Sequence, residues 1–446
     1  MRLRPRRPGG LWRHRDFRNL WAAETISQFG SQVDDLALGL VAIIVLDATA
    51  FEVAVYGTLN FLPFILFTLP AGVWVDRLPR KPILVIGDLG RFAVLLTIPL
   101  AYVADVLTLW QLYAVAFLTG VFTVFFDVAY QSYLPSLVDR EHIGEGNSKL
   151  EISRSTAQLA GPGLGGVLVE LVTAPYAVLV DAFSFLASGT FLLRIRKREE
   201  PLRTATATEA KQSLWAELKE GLRFVLGNSS LRAQAGCTAT SNLFFSVTFS
   251  IYLVFLVREV ELSPGVIGVL LSVGSVGSLI AAFTATRISR RFGIGPTTIV
   301  VTFLNLPAML LIALAPVSFP IPFIVAGGVV LGFVIVVYNI TQVSYRQAIC
   351  PPRLQGRMNS VMRFLVWGTI PIGTLLGGTL GSVIGLRETL VVGAVGSGSS
   401  FLWILFSPQR HLREMPEPIE DEPRTTELGA ALPGVADPLS PVDEQI

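Results

Sequence analysis

Histidine, cysteine and charge are all scarce in this sequence. Three His and two Cys among 446 residues exclude a disulfide scaffold and leave no set of ligands for a His- or Cys-rich metal site. Only 15% of the residues are charged, against about 25% in an ordinary globular chain. Such a chain cannot cover a water-soluble surface of this size, and it lacks the polar composition of a disordered one. A net charge of +2 offers no basic excess for a nucleic acid, so none is expected as a partner. Neither H-E-x-x-H, G-x-S-x-G nor a Walker loop occurs, which removes the chemistry of the zinc peptidases, the serine hydrolases and direct ATP drive. The expectation is a protein that is not an enzyme and uses no metal and no cofactor.

What is abundant is apolar. Hydrophobic residues make up 52% of the chain, with 28 Phe and 40 Gly, and the mean hydropathy is +0.59. A helix needs roughly 20 apolar residues to cross about 30 Å of hydrocarbon. Runs of that kind fall at 18–46, 52–75, 83–103, 108–134, 148–171, 175–194, 231–257, 264–286, 297–316, 320–346, 357–384 and 388–406. Backbone buried in lipid must satisfy its own polar groups, so each run is read as a helix. The expected fold is an all-α polytopic membrane protein of twelve transmembrane helices in two six-helix bundles, with the lipid bilayer as its partner.

The basic residues give the topology. The first eighteen residues hold seven Arg, and the loops after even-numbered spans hold Arg77, Arg80 and Lys81, then Arg140, a run from Arg194 to Arg223, Arg287 to Arg291, and Arg346 and Arg353. The loops after odd-numbered spans hold only Arg258 and Arg387. Positive loops stay cytoplasmic, so both termini of this multi-pass chain are expected in the cytoplasm, as an even number of crossings requires, and the chain in the cell membrane. The first apolar run is too long for a cleavable signal and contains Asp34 and Asp35.

The chain therefore divides into a basic N-terminus (1–17), a first bundle (18–194), a charged connection (195–230), a second bundle (231–406) and an acidic, Pro-rich tail (407–446) that reads as disordered. In the connection, Leu214, Leu218, Leu222 and Val225 recur at helical spacing. This fits an amphipathic helix on the cytoplasmic membrane surface or a plain linker helix.

The two bundles repeat one another at an offset of 212 residues. Gly161–Gly166 (GPGLGG) falls on Gly373–Gly378 (GTLLGG), Asn147-Ser148 on Asn359-Ser360, and Asp127–Tyr133 (DVAYQSY) on Asn339–Tyr345 (NITQVSY). Parallel six-helix repeats place a binding site between the halves near the bilayer midplane. A duplicated two-lobed bundle suggests a transporter of a small molecule working by alternating access.

Between the second and third spans stands GVWVDRLPRK, with Gly72, Asp76, Arg77, Arg80 and Lys81. This pattern resembles the loop motif of the major facilitator superfamily, and the resemblance runs over about residues 12–410. Asp16–Gly30 and Phe125–Val138 are more narrowly similar to a bacterial efflux branch that exports siderophores, macrolides and other natural products. The resemblance implies a lock that holds the cytoplasmic side shut in the outward-open state, carried here by Asp76, Arg80 and Asp127. Arg77 and Lys81 serve the lock or only the topology. Gly72 is expected at a close helix approach. In the second half Arg287, Arg290 and Arg291 persist while Thr286 and Asn339 replace the acids, so the lock is one-sided. Gly161, Pro162, Gly165 and Gly166 resemble the core of the family's antiporter motif, in which Pro bends the helix and Gly permits close packing. Ser148 and Ala157 replace that motif's upstream glycines, and Ala116 stands where a recurring arginine of drug antiporters would be.

A carboxylate in mid-bilayer costs roughly 2.5–3.5 kcal/mol on insertion scales and marks a functional position. Asp34 and Asp35 lie in the first span. At 100° per residue Glu24, Gln28, Ser31, Asp35 and Gly39 share one face, so Asp35 is expected on the central cavity and Asp34 against a neighbouring helix. Both serve proton coupling or substrate contact, or are capped and only fix packing; Asp181 in the sixth span is a further candidate. Burial favours the neutral form of any carboxyl, as a proton-carrying site requires. No His lies in a span, so a relay has only carboxylates to use. Asp88 and Arg91, like Glu151 and Arg154, are spaced for mutual ion pairs. Tyr130, Gln131, Asn242, Phe245, Tyr338, Asn339 and Gln342 are candidate cavity-lining groups, or serve packing alone. The spans show no set of several buried polar or basic groups at mid-depth such as a sugar or phosphate carrier would use.

Proton-gradient-driven export of a lipophilic small molecule by a monomer is the function these residues and the resemblance favour. An uptake symporter or facilitator stays open beside it. A membrane sensor or enzyme has no domain or motif to support it.

Overall fold

Apolar runs of this length become helices because a backbone withdrawn from water must bond to itself. In a computed structural model of the protein, every regular element among the described residues is helical. The structure describes residues 11–75, 77–197, 199, 214–351, 354–414 and 416. Six long helices form the first half: α1 (Arg15–Leu40, extended by a π turn, Val41–Val45), α2 (Ala50–Val75), α3 (Arg80–Val103), α4 (Leu109–Leu137), α5 (Ile143–Val172) and α6 (Ala174–Leu193). A short α7 (Leu214–Gly227) leads to the second half: α8 (Ser229–Arg258), α9 (Pro264–Phe292), α10 (Ile294–Ala313), α11 (Ile321–Ile349), α12 (Gln355–Val383), and α13 (Leu386–Ser399) continued by α14 (Phe401–Leu405).

Among the described residues, eleven helical stretches are long and apolar enough to cross a membrane. The remaining crossing is α5, as long as its neighbours but polar in its first half, where Glu145, Lys149, Glu151 and Arg154 lie. It sits between α1 and α9, so protein rather than lipid flanks it on two sides.

Within the first half α1 packs on α5 and α6, α3 on α4 and α6, and α2 on α4. Within the second, α8 packs on α12 and α13, α9 on α11, and α10 on α11 and α13. Two seams join the halves, α5 on α9 and α2 on α12. These seams are equivalent under the sequence repeat, and its glycines say why. Gly161 and Gly165 of α5 lie against Gln32 and Val33 of α1, as Gly373 and Gly377 of α12 lie against Leu243 and Val247 of α8. Gly166 meets Gly268 and Pro264 of α9, as Gly378 meets Ala50 and Ala54 of α2. Each repeat unit thus uses two glycines to seat its helix in its own half and a third to touch the other half.

Both seams tighten at the face away from the chain termini. There Glu170 at the end of α5 accepts hydrogen bonds from the Gly265 amide (2.8 Å) and the Ser263 hydroxyl (3.1 Å) at the start of α9. Asp47, between α1 and α2, pairs with Arg258 at the end of α8 at 2.6 Å. The halves are closed at that face. On the terminal face, α7 docks on the second half: Val225 is fully buried, Gly221 lies against the Arg357 carbonyl, and Glu220 pairs with Arg357. Leu222 and Leu226 remain exposed. The side chains of Leu214 and Leu218, and the tail beyond 416, lie outside the described residues.

Candidate transport site

On α1 the two neighbouring aspartates face different surroundings. Asp34 is buried, at 6% exposure. It interacts electrostatically with Asp181 of α6, and its Oδ1 has no hydrogen-bond partner among the described residues. Gly30, one turn earlier on the same face, lets α1 come up against Asp181 and Ser184; the Ser184 hydroxyl donates to Asp181 Oδ1 at 2.8 Å. Asp35 is exposed. Gly39, one turn beyond it, meets Leu253 of α8, so this face of α1 looks towards the second half. Lower on the helix Gln28 donates to Glu24 Oε1 at 2.8 Å. Glu24 itself is buried, with Oε2 unpartnered among the described residues. The polar face of α1 therefore runs from a carboxylate inside the first half to one open to the interior.

One cation organises the remaining acids of this half. Arg91 of α3 pairs with Asp88 at 2.6 Å, the two side chains 6% and 0% exposed. Its guanidinium lies 4.4 Å from the ring centroid of Phe126 and 4.0 Å from that of Phe185. Such desolvated cation–π contacts are each worth up to about 2 kcal/mol. Glu24, Asp127 and Asp181 also feel Arg91. Asp127 is half-buried and faces Arg154 as well. Tyr130, stacked on Phe126, joins this group beside Glu24, whereas Gln131 is exposed. Among the described residues Glu151 makes no ion pair with Arg154, which is exposed and acts electrostatically on Asp127.

The second half contains a cavity of about 480 Å³ between α8, α10, α11 and α12, a size that suits a small organic ligand. Asn242, Asn339 and Gln342 line it, with Gln342 buried and donating to Asn339 Oδ1 at 3.4 Å. So do six polar groups not foreseen there from the sequence: Thr238, Ser241, Asn305, Arg346, Asn359 and Arg363. Arg363 is exposed near the start of α12, within the expected eleventh span, and Arg346 is half-buried in the last turn of α11. The sequence signal was available in Arg363 itself, a charge within an apolar run, and in Asn359, which belongs to the repeat.

The loop motif is arranged differently. Asp76 lies outside the described residues. Arg77 is exposed, and Arg80 and Lys81 open α3. Their backbone amides donate to the carboxylate of Glu199 at 2.9 and 2.7 Å, so Glu199 caps α3, and Lys81 Nζ bonds to the Leu193 and Ile195 carbonyls. Asp16 holds the same segment by accepting from the amides of Arg196 and Lys197. Asp127 interacts with Arg91 and Arg154, not with Arg80, in this arrangement. A Cβ on Gly72 would meet no described atom within 4 Å. Glu199 was not foreseen, because a capping carboxylate in an irregular segment carries no periodic signal.

Comparisons with known proteins match this architecture. A family model described as Major Facilitator Superfamily matches residues 20–369 and 235–432. The MFS-type transporter YfiS of Bacillus subtilis (strain 168) is 28% identical over 270 residues, 60% of this chain and 63% of that protein, so the match spans less than two thirds of that relative. The multidrug efflux pump Tap of Mycolicibacterium fortuitum is 27% identical over 361 residues, 77% of this chain and 84% of Tap. Among solved structures, a bacterial homologue of the iron transporter ferroportin in an inward-facing state superposes with a TM-score of 0.66 at 16% identity, covering 87% of this chain and 98% of that one. A point mutant of the nucleoside transporter NupG gives 0.72 at 12% identity over 87% and 99%. At these identities the solved structures speak for the fold alone.

Proposed function

The chain belongs to the Major Facilitator Superfamily, a multi-pass membrane transporter, and we propose that it is a proton-coupled exporter of lipophilic small molecules working by alternating access. The observation that carries this reading is the pair of neighbours on α1. Asp35 is open to the space between the halves, while Asp34 is sealed against Asp181 with an unpartnered oxygen. Two carboxyl groups packed together cannot both carry charge without mutual repulsion, and one proton relieves it. Asp35 exchanges that proton with the cavity, and Asp34 with Asp181 transmits its presence to the α1–α6 contact.

The similarity to Tap supports efflux as the direction, and the basic loops support placing the termini and the terminal face in the cytoplasm. Closure at the opposite face then makes this arrangement inward-facing. Substrate enters the interior from the cytoplasmic side, and the α5–α9 and α2–α12 seams separate as the cavity turns outward. In the outward state Arg80 and Asp127, apart here, come together with Asp76 as the lock that the motif implies. No metal or cofactor takes part; the gradient supplies the energy.

Everted membrane vesicles with an imposed pH gradient test the reading against a panel of lipophilic cations, macrolides and siderophores. Accumulation that builds with the gradient and collapses when it is dissipated supports proton-coupled export. Accumulation indifferent to the gradient identifies a facilitator, and gradient-driven depletion of vesicle contents identifies uptake.

A further inference from the structure

The acids of the interior lie in the first half, and the second half's cavity is lined by two guanidinium groups and no carboxylate. Resting on the exporter reading above, we propose that this cavity is a subsite for an anionic group on the substrate: the carboxylate, sulfonate or phosphate of an amphipathic organic molecule, held by Arg363 with Arg346 beside the ring of Trp367.

Other arginines have acids beside them: Arg91 has Asp88, Arg258 has Asp47, and Arg387 has Glu259. Among the described residues, Arg346 and Arg363 make no ion pair, and Arg346 Nε is buried without a hydrogen-bond partner. Arg346 is half-buried and Arg363 exposed, both on the wall of one cavity, and charges on such a wall without a counter-charge mark a position that another charge visits. A guanidinium is suited to oxyanions because its planar fork donates two parallel hydrogen bonds.

The surroundings fit the same ligand. Asn359, Arg363 and Trp367 follow one another at i, i+4 spacing down one side of α12, and all three line the cavity. The Arg363 guanidinium lies 5.1 Å from the Trp367 ring centroid. Asn339 and Gln342 of α11 add neutral amide donors, which bind oxygen without competing for the arginines. The Trp367 indole meets Phe61 and Phe64 of α2 edge-on, at 6.0 and 6.4 Å between centroids. An apolar body attached to the anion therefore rests on the aromatic seam between the halves. Substrate and proton are bound by different halves of the molecule and do not compete for one group.

Calorimetric titration of the full-length protein in detergent, with no gradient present, separates this proposal from the transport reading. Naphthalene-1-carboxylate and naphthalene-1-sulfonate are compared with the neutral naphthalene-1-carboxamide, and dihexanoyl phosphatidate serves as a lipid-headgroup arm. The acids are expected to bind at least about tenfold more tightly than the amide. Arg363→Gln brings the acids down to the amide, and Arg363→Lys retains part of the preference and confirms a folded protein. Equal binding of acid and amide, no binding of either acid, or a preference that survives Arg363→Gln overturns the proposal. So does phosphatidate binding more tightly than both acids, which would make the arginines a lipid site. Acid preference without proton-linked transport would overturn the exporter reading and leave the subsite standing; proton-linked transport without acid preference would do the reverse.

Discussion

Gly166 of α5 and Gly268 of α9 cross so closely that a Cβ on either would lie 2.8 Å from the other's Cα. The two residues belong to different halves, and the crossing brings backbone to backbone, so no side chain can yield to make room. Gly166→Leu therefore forces the seam apart. Overpacking of this kind costs about 1–3 kcal/mol, which shifts the balance between inward- and outward-facing states by about 5- to 150-fold. The variant should insert and fold, and spectroscopic distances between labels on the loops flanking Asp47 and Arg258 should lengthen. Gly378→Leu at the equivalent seam should do the same.

The ion pair at the same face carries much less. Asp47 is 94% exposed and Arg258 34%, and a pair so open to solvent is worth about 0–1 kcal/mol. Arg258→Ala should change the transport rate by less than about fivefold and leave the label distances nearly as they are. A larger effect than that of Gly166→Leu would show that electrostatics rather than close packing holds the face shut.

Arg91 is a structural cation. Removing it leaves Asp88 buried and unpaired, a change that costs about 3–5 kcal/mol, so Arg91→Met should lower the thermal midpoint of the purified protein sharply or prevent its isolation. Arg91→Lys keeps the charge but loses the flat group that Phe126 and Phe185 sandwich, and should fall between. The double variant Arg91→Met with Asp88→Leu should recover most of the stability, since no buried charge is then left alone.

Asp34 and Asp181 act on one another electrostatically, and Arg91 acts on Asp181; two charged carboxylates there would repel. Asp34→Asn removes that repulsion and should raise the thermal midpoint or leave it unchanged, while proton-driven accumulation falls by about tenfold or more. A variant that is less stable yet fully active would assign Asp34 to packing alone.

The spans were legible because lipid imposes a length and a composition that a window of residues can reveal. The weakest of them was 148–171: α5 is the most polar of the spans in its first half, and its GPGLGG run belongs to the repeat. That run announced close packing but not its partners. That Gly161 and Gly165 face α1 while Gly166 reaches α9 depends on the tilt of α5, which no local pattern encodes. The same limit applies at the site. Helical periodicity separates Asp34 from Asp35 because they share one helix. It cannot bring Arg346 of α11 together with Arg363 of α12, whose proximity exists only once the second half is packed. Glu199, reaching back across more than a hundred residues to cap α3, was invisible for the same reason.

Proton coupling through Asp35 is tested most directly in proteoliposomes that measure two activities of one preparation: accumulation driven by a pH gradient, and exchange of labelled for unlabelled substrate with no gradient. Under proton-coupled export, Asp35→Asn abolishes the driven accumulation and keeps the exchange, because the cavity and the moving seams are intact while the proton has no carrier. Driven accumulation at the wild-type rate in Asp35→Asn would contradict it.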